Sequence, residues 1–314
     1  MTIPRKDKSV SLEEARRLAL ELLATLDAHE PTDGLTVRQV FEAYMDRHGI
    51  RCKSAKWMRR IFERHLKELA KRKAGDIKAA EVITLHMEIG NTTGRASANR
   101  ALEVLRAAYN KAIKWGMYSG ANPCYSVTMY PLETRDRYLS AKSEIDRFLA
   151  SLAKMRSSTF RNFVLTSLFT AARVSNVMAM RWEELDLELG YWRIPDTKSG
   201  KPVLVPLLKE ALEAIEGQRG KHKTWVFPGR GKTGHIVNPA RAWKRLIDKA
   251  EISNLRMHDL RRTMGSWQAN TGASLPVIQK TLGHSSLRST YIYARLQLAP
   301  VRSAMQKAAR AMLR

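Results

Sequence analysis

The stretch TLGHSSLRSTYIYARL at residues 281–296 places one histidine, His284, ahead of two tyrosines, Tyr291 and Tyr293. Taken alone, such a stretch is most often a helix with an aromatic face. In one continuous helix Tyr291 would share the face of His284, because seven residues are close to two turns. Gly283 and the serines after His284 instead predict that a helix starts beyond this histidine, and the angular argument then fails. The choice between the tyrosines therefore depends on the rest of the chain.

The chain is strongly basic and long enough for two domains. Its 314 residues carry 55 Lys and Arg against 30 Asp and Glu, a formal net charge of +25. Solubility does not require such an excess. A polyanionic partner is favoured, and nucleic acid is the commonest one. A merely well-solvated surface is the alternative.

The positive charge is densest at residues 51–73, which hold ten Lys and Arg against two Glu. The stretch also has an apolar side, so it is interpreted as an amphipathic helix over about 53–73 whose basic face lies along DNA phosphates. The candidate DNA contacts are Lys53, Lys56, Arg59, Arg60 and Arg64. The apolar side would consist of Trp57, Met58, Ile61, Leu66 and Leu69.

Several classes of protein are disfavoured. No run of 18 apolar residues occurs, so no membrane span is expected. The N-terminus lacks the apolar core of a secretory signal and there are only two cysteines, which fits the cytoplasm. Residues 229–234, GRGKTG, match glycine-rich nucleotide motifs, but Val226 stands where a phosphate-binding loop needs glycine. No HExxH, CxxC or acidic cluster occurs, so neither a cofactor nor a metal is predicted.

Hydrophobic periodicity predicts a mainly α fold with a small β-sheet, in two modules. In the first module, helices are expected at 11–29, from Thr36, over the basic stretch, and at 76–89 and 97–116. Gly116 would cap the last of these. Residues 120–138 contain two prolines and no periodicity, which predicts a linker.

The second module mixes helices with strands. A helix is expected from Ser143, with Asp146 at the capping-box position. Residues 191–207 alternate around a Lys-Ser-Gly-Lys turn, which predicts a β-hairpin with Lys198 at its tip. Asn238 as N-cap and Pro239 in the first turn predict the start of the next helices.

Two further stretches carry candidate catalytic residues. Arg173 lies in TAARVSNVMAMRWEELDL at 170–187, among small and apolar residues. His258 and Arg261 lie in MHDLRRT at 257–263, three positions apart on one helix face. Either stretch alone is weak evidence for a catalytic site, since a half-buried arginine is usually a structural ion-pair partner.

Together with LGHSS and a tyrosine nine residues after its histidine, these stretches resemble the tyrosine recombinase, or phage integrase, family. The resemblance covers roughly residues 33–314. It implies a catalytic set in chain order: Arg173, Lys198, His258, Arg261, His284 and the nucleophile Tyr293. Tyr291 would then pack or contact the DNA backbone. Three positions depart from the family pattern: Ala171-Ala172 replaces Thr-Gly before the first arginine, and Asn176 replaces an acidic residue.

The chemistry explains each residue type. Guanidinium groups match phosphate oxygens bidentately and suit charge that develops in a transition state. The resemblance implies that a tyrosine attacks phosphorus, that Lys198 protonates the departing 5′ oxygen and that His258 assists proton transfer. It also implies an all-helical core DNA-binding domain at 33–131 and a mixed α/β, mostly helical catalytic domain at 132–314. Residues 1–32 are interpreted as the remnant of an arm-binding domain.

The resemblance implies a site-specific recombinase, the integrase of a phage or other mobile element. Such an enzyme forms a 3′-phosphotyrosine without metal or cofactor. It works as a tetramer on double-stranded DNA core sites, passes through a Holliday junction and uses accessory DNA-bending proteins. The alternatives are the same chemistry applied to chromosome-dimer resolution or transposition, and a catalytically silent DNA-binding protein. The tail helix would pack in its own chain or on a neighbouring subunit.

Overall fold

The structure is a computed structural model that describes residues 34–133, 135–195, 202–284, 286, 289–294 and 298–312. The chain divides into two compact units, Met1–Thr134 and Arg135–Arg314. Helix 11–29 and the Lys198 turn were predicted on residues outside the described ranges. In the described part of the chain, no helix combines the length and apolar character that a membrane crossing needs.

Unit 1 is built from helices. Its described residues form four α-helices, α1 (Val37–Arg47), α2 (Ala55–Ile61), α3 (Ala79–Thr92) and α4 (Arg95–Lys114). Short 3-10 turns at Gly49–Arg51, Lys67–Leu69 and Ala74–Asp76 and a π-helical turn at Phe62–Leu66 connect them. Thr36 and Gln39 form a reciprocal capping box at the start of α1.

Gly116 ends α4 as predicted from the sequence. Its φ is +66°, a left-handed conformation that glycine adopts without a steric penalty. The N–H of Met117 donates to the carbonyl of Ala112 at 2.9 Å, and the N–H of Gly116 donates to that of Ile113 at 3.1 Å. These paired bonds form a Schellman motif, which satisfies carbonyls at the helix end.

The basic helix predicted over 53–73 is shorter and less regular. The α-helix ends at Ile61, and the chain continues through the π-helical and 3-10 turns to Leu69. The wider π turn shifts the helical register, and Phe62 and Leu66 both reach the core. The assignment of Trp57 to the apolar side was wrong, because its side chain is 42% exposed.

The segment predicted as a free linker packs in part against unit 1. Cys124 and Val127 are buried in the unit 1 core. Arg106 of α4 donates to the carbonyls of both residues, at 2.9 and 3.2 Å. Asn99 donates to the carbonyl of Tyr130 at 2.8 Å. Side chains of α4 thus satisfy the irregular backbone of this segment, so it is ordered without helix or strand.

Unit 2 combines nine α-helices of the described residues with a three-stranded sheet. The helices are α5 (Lys142–Ala153), α6 (Ser158–Thr170), α7 (Val174–Met178), α8 (Lys209–Glu216), α9 (Ala240–Ala250), α10 (His258–Asn270), α11 (Leu275–Leu282), α12 (Tyr291–Ala294) and α13 (Leu298–Met312). The strands are β1 (Leu185–Asp186), β2 (Tyr191–Ile194) and β3 (Val203–Pro206). The prediction of a mainly α fold with a small sheet is confirmed.

The sheet is antiparallel in the order β1-β2-β3. Ile194 lies opposite Val203 and Tyr191 opposite Pro206, which is the predicted hairpin with a longer connection. Trp192 is 1% exposed and belongs to the core that α6, α8 and α9 cover. The hairpin therefore packs one face on the helices, as its alternation requires.

Two predicted helix caps differ in the structure. Asp146 does not cap α5; its carboxylate pairs with Lys142. Glu144 instead accepts the N–H of Ser140 at 3.1 Å, because its ion pair with Arg137 holds it at the helix start. At α9 the cap residue is Pro239, although the side chain of Asn238 still accepts the N–H of Ala240 at 3.2 Å.

Candidate active site

Helix α10 carries two of the predicted catalytic side chains. His258 is its first residue and Arg261 lies one turn further on. His258 reaches solvent, whereas Arg261 is 6% exposed. The predicted spacing of three residues therefore places both groups at the same end of one helix.

Arg261 is held by two backbone carbonyls from different elements. One Nη donates to the carbonyl of Ala171 at 2.8 Å, and the other donates to the carbonyl of Leu282. Ala171 follows α6 and Leu282 ends α11. Arg261 thus joins three helices, and its guanidinium has little freedom to rotate.

Ala171 has a left-handed backbone, with φ 50° and ψ 16°. An L-residue pays roughly 1–2 kcal/mol for this conformation, which glycine adopts freely. The conformation turns the chain sharply between α6 and Arg173 and presents the Ala171 carbonyl to Arg261. The segment before Arg173 thus contains an alanine in a conformation that favours glycine.

Arg173 is the N-cap residue of α7 and is half-buried. Within the described ranges, its guanidinium has no hydrogen-bond or ion-pair partner. A narrow cleft lined by Arg173, Arg261 and the strand residues Ile194 and Val203 lies beside it. Both guanidinium groups therefore border one cleft, and that of Arg173 is available to an anion.

His284 lies outside any helix, as predicted from Gly283. Helix α11 ends at Gly283, whose φ is +55°. The N–H of His284 donates to the carbonyl of Gln279 at 3.1 Å, and its Nδ1 lies 3.0 Å from the hydroxyl of Thr290. Thr290 is fully buried, so this contact fixes the imidazole.

The two tyrosines of α12 face opposite environments. Tyr291 is 57% exposed, whereas Tyr293 is 3% exposed and packs with Ile278 and Leu282. The ring of Tyr293 lies directly over Gly265 of α10, where a Cβ atom would approach two ring carbons to 2.9 Å. Gly265 therefore makes the room that lets this ring lie against α10.

Positive charge dominates the electrostatics of the site. Burial, and after it the charge of Arg173, lower the pKa of Arg261 to about 10. Burial and then the charges of Arg261, Arg173 and His258 lower the pKa of His284 to about 4. The pKa of His258 is also lowered, by partial burial and by neighbouring arginines. Both histidines are therefore neutral at pH 7.

Burial raises the pKa of Tyr293, and the charges of Arg261 and Arg262 oppose that rise. A phenolate here would thus be stabilised by two guanidinium groups, while the closed surroundings favour the neutral phenol. Five of the six predicted catalytic residues, Arg173, His258, Arg261, His284 and Tyr293, interact electrostatically at this one site.

Sequence reasoning missed three charged residues next to this site. Asp259 and Arg262 stand inside the MHDLRRT stretch, and Arg135 lies far upstream. Arg135 and Asp259 form a buried ion pair at 2.7 Å. Asp259 is a charged residue inside the motif, and helical spacing turns it away from Arg261. This combination was the signal that could have identified Asp259 from the sequence.

The remaining predicted residues lie elsewhere. Lys198 is outside the described ranges. The side chains of Lys53, Lys56, Arg59, Arg60 and Arg64 are all exposed on unit 1. Arg59 is engaged within unit 1, since it lies 2.5 Å from Glu42 and 3.6 Å from Asp46. Among the described residues, no group of three His, Cys, Asp or Glu side chains could hold a metal ion.

Known proteins resemble the chain in sequence. The integrase of Salmonella phage P22 is 29% identical over 150 residues, which are 43% of this chain and 39% of that protein. Tyrosine recombinase XerD of Shewanella oneidensis is 28% identical over 264 residues, 79% of this chain and 86% of that protein. The chain thus spans well under half the length of the first relative and most of the second.

The fold is shared with solved integrase structures. The Tn1549 transposon integrase in complex with a circular intermediate DNA superposes with a TM-score of 0.71 at 17% identity, over 87% of this chain and 99% of that one. A lambda integrase tetramer bound to a Holliday junction gives 0.66 at 17% identity, over 93% and 88%. The model of the phage integrase family matches residues 139–299, just over half of the sequence. The chain belongs to the phage integrase family.

Proposed function

We propose that this chain is a site-specific DNA recombinase that cuts and rejoins DNA strands through a covalent 3′-phosphotyrosine. The observation that carries the proposal is the cationic cluster around Arg173 and Arg261, into which a buried tyrosine is packed. Among the described residues, no carboxylate contributes to the pKa of Arg261 or of His284. A buried positive charge without a counter-ion is costly, so the site is built for an anion that arrives with the substrate.

A phosphodiester supplies that anion. Arg261 is fixed by the carbonyls of Ala171 and Leu282, so its remaining N–H groups are pre-oriented. Arg173 is the second guanidinium at the cleft. Each preorganised donor to the non-bridging oxygens can contribute about 3–4 kcal/mol to transition-state stabilisation. Neutral His284 is suited to add a hydrogen bond through Nε2 when Nδ1 accepts from Thr290.

Tyr293 is the proposed nucleophile. Its oxygen attacks phosphorus, a phosphorus–oxygen bond to the tyrosine forms, and the bond to the 5′ oxygen breaks. The phenol proton passes to His258, which is neutral at pH 7 and can accept it. Lys198 donates a proton to the departing 5′ oxygen. The 5′ hydroxyl of another strand then reverses these steps, so the bond energy is retained and no ATP is consumed.

Tyr293 is favoured over Tyr291 by its position. The charges of Arg261 and Arg262 act to lower the pKa of the Tyr293 phenol, whereas Tyr291 is exposed. A phenol has an ordinary pKa near 10, and the two guanidinium groups lower the cost of its phenolate. The mechanism assigns all proton and charge chemistry to side chains, so we propose that it needs neither metal nor cofactor.

DNA is the proposed partner of both units. The exposed basic residues Lys53, Lys56, Arg60 and Arg64 of unit 1 would contact phosphates, and binding would weaken steeply with salt. Residues 33–131 are proposed to be the core-binding domain. Solved structures with this fold include a lambda integrase tetramer bound to a Holliday junction and a lambda integrase dimer bound to a core site. We propose a tetramer on two double-stranded sites in the bacterial cytoplasm, aided by accessory DNA-bending proteins.

The test is covalent adduct formation in EDTA. A binding duplex is first selected from a random-sequence pool with Tyr293→Phe, which should bind without cutting. Wild type is then incubated with this duplex carrying a nick next to the cleavage position, so that religation is lost. A denaturation-resistant adduct on the 3′ phosphate is expected. Tight binding without an adduct, with or without Mg²⁺, would instead indicate a catalytically silent DNA-binding protein.

A further inference from the structure

The first residues of unit 2 run along α10 as an extended strap, residues 135–139. At one end, Arg135 pairs with Asp259. At the other end, the N–H of Leu139 donates to the hydroxyl of Thr263 at 3.1 Å, and the indole of Trp267 donates to the carbonyl of Leu139 at 2.8 Å. The three helix residues are spaced by four, so the strap holds a single face of α10.

Asp259 is the most constrained residue of this face. Its carboxylate is 3% exposed and accepts Nε of Arg135 at 3.1 Å and Nη2 at 2.7 Å. It also accepts the backbone N–H of Arg256 at 2.8 Å. Arg135 in turn donates to the side chain of Asn254 at 2.9 Å. A bidentate guanidinium and a backbone N–H thus fix the carboxylate, and with it the first turn of α10.

The residues around Asp259 are those proposed to act on DNA. His258 precedes it, and Arg261 follows two positions later. The Nη1 of Arg262 lies 3.9 Å from Asp259, and the charge of Arg262 lowers the pKa of the Tyr293 phenol against the effect of burial. Ion pairs thus link Arg135, Asp259 and Arg262, and the charge of Arg262 acts on the proposed nucleophile. A rotation of α10 would displace His258, Arg261 and Arg262 together.

We propose that Asp259, clamped by Arg135, is a positioning residue of the recombination site. It sets the rotation of α10, and so the direction of His258 and Arg261, and it orients Arg262, whose charge acts on Tyr293. This inference rests on the proposed recombinase function. Neither residue touches DNA in this account, so the pair acts on the rate of cleavage and leaves the affinity for DNA unchanged.

The strap also provides a matched control. Arg137 pairs with Glu144 of α5 at 2.6 Å, and both partners are about one-fifth exposed. This second ion pair anchors the same strap to α5, and within the described ranges neither partner forms a hydrogen bond or ion pair with α10. If the strap mattered only for folding, disrupting either pair would have the same effect on cleavage.

The experiment uses the nicked duplex selected with Tyr293→Phe and compares wild type with Arg135→Ala, Asp259→Asn, their double variant and Glu144→Gln. The single-turnover rate constant of adduct formation is measured at saturating DNA, well below each melting temperature. The dissociation constant is measured in the Tyr293→Phe background. We expect Arg135→Ala and Asp259→Asn each to form the adduct at least about tenfold more slowly than wild type. A misplacement of catalytic groups by about 1 Å can lower a rate about 100-fold.

The dissociation constants should stay unchanged, and the double variant should be no slower than the slower single variant, because both remove one contact. Arg135→Lys keeps the positive charge but lacks the bidentate guanidinium. It should therefore fold, and its rate constant should lie between those of wild type and Arg135→Ala. Rates equal to wild type in Asp259→Asn and Arg135→Lys, or an equal loss in Glu144→Gln, would overturn the inference. Failure of wild type itself to form an adduct would instead reject the recombinase function.

Discussion

Replacing Gly265 by alanine should impair cleavage far more than stability. Gly265 lies in the middle of α10 with the ring of Tyr293 against it. A Cβ atom there would meet two ring carbons of Tyr293 at 2.9 Å and Cδ1 of Leu282 at 3.1 Å. Carbon atoms in contact are about 3.5 Å apart or more. The tyrosine ring would therefore have to retreat by about 0.6 Å.

Two opposing terms decide the stability of Gly265→Ala. Overpacking of a core costs about 1–3 kcal/mol. Alanine in a helix interior gains about 1 kcal/mol over glycine. The net loss is therefore at most about 2 kcal/mol, or a fall of a few degrees in melting temperature. Because proposed catalysis depends on the position of the Tyr293 oxygen, the same displacement should slow cleavage by at least about tenfold.

The assay is single-turnover adduct formation on the selected nicked duplex, alongside thermal unfolding. Ser266→Ala is the matched control in the next position of α10. Its hydroxyl is buried and has no hydrogen-bond partner in the part of the chain that the structure describes. This variant should be as stable as wild type or more so, and should cleave at the same rate. Wild-type cleavage by a well-folded Gly265→Ala would refute the placement of Tyr293 against α10 in the reacting enzyme.

Three further predictions address single groups. Lys198→Ala should slow cleavage of ordinary DNA but not of DNA with sulfur at the bridging 5′ position, because a thiolate leaves without a proton; a slow reaction with both substrates would argue against Lys198 as the acid. Arg261→Lys should lower the cleavage rate about 100- to 1000-fold, since an ammonium group cannot replace the fork; a loss below tenfold would contradict its role. The folded-state pKa of His284, about 4, lies below the ordinary 6.5, so the unfolded chain binds the proton first. Wild type should therefore lose up to about 3 kcal/mol of unfolding free energy as the pH falls from 6.5 to 4, and His284→Gln should lose less in denaturant titrations; equal losses would exclude this contribution.

Local signals in the sequence were sufficient to predict the helices that carry the candidate site. The i, i+3 spacing of His258 and Arg261 requires only one helix, and α10 supplies it. Gly283 ends α11 in a left-handed conformation, which removes the angular argument for Tyr291. Glycine signals of this kind depend on the backbone of one residue, so they can be identified without knowledge of the tertiary fold.

Contacts between distant residues could not be predicted in the same way. Arg135 and Asp259 are 124 positions apart, and nothing in either local sequence identifies the other. Asp146 lost the predicted capping position because Arg137 holds Glu144 at the helix start. The segment 120–138 has the composition of a linker, yet Asn99 and Arg106 of α4 satisfy its backbone. Each case depends on tertiary contacts that override a local preference.

The most direct test of the central claim is to identify the amino acid that becomes attached to DNA. The adduct from wild type and the selected nicked duplex is digested with protease and nuclease, and the nucleotide-bearing peptide is sequenced by mass spectrometry. We expect a nucleotide on Tyr293, an adduct that persists in Tyr291→Phe and none in Tyr293→Phe. A nucleotide on Tyr291, or an adduct that survives Tyr293→Phe, would contradict it.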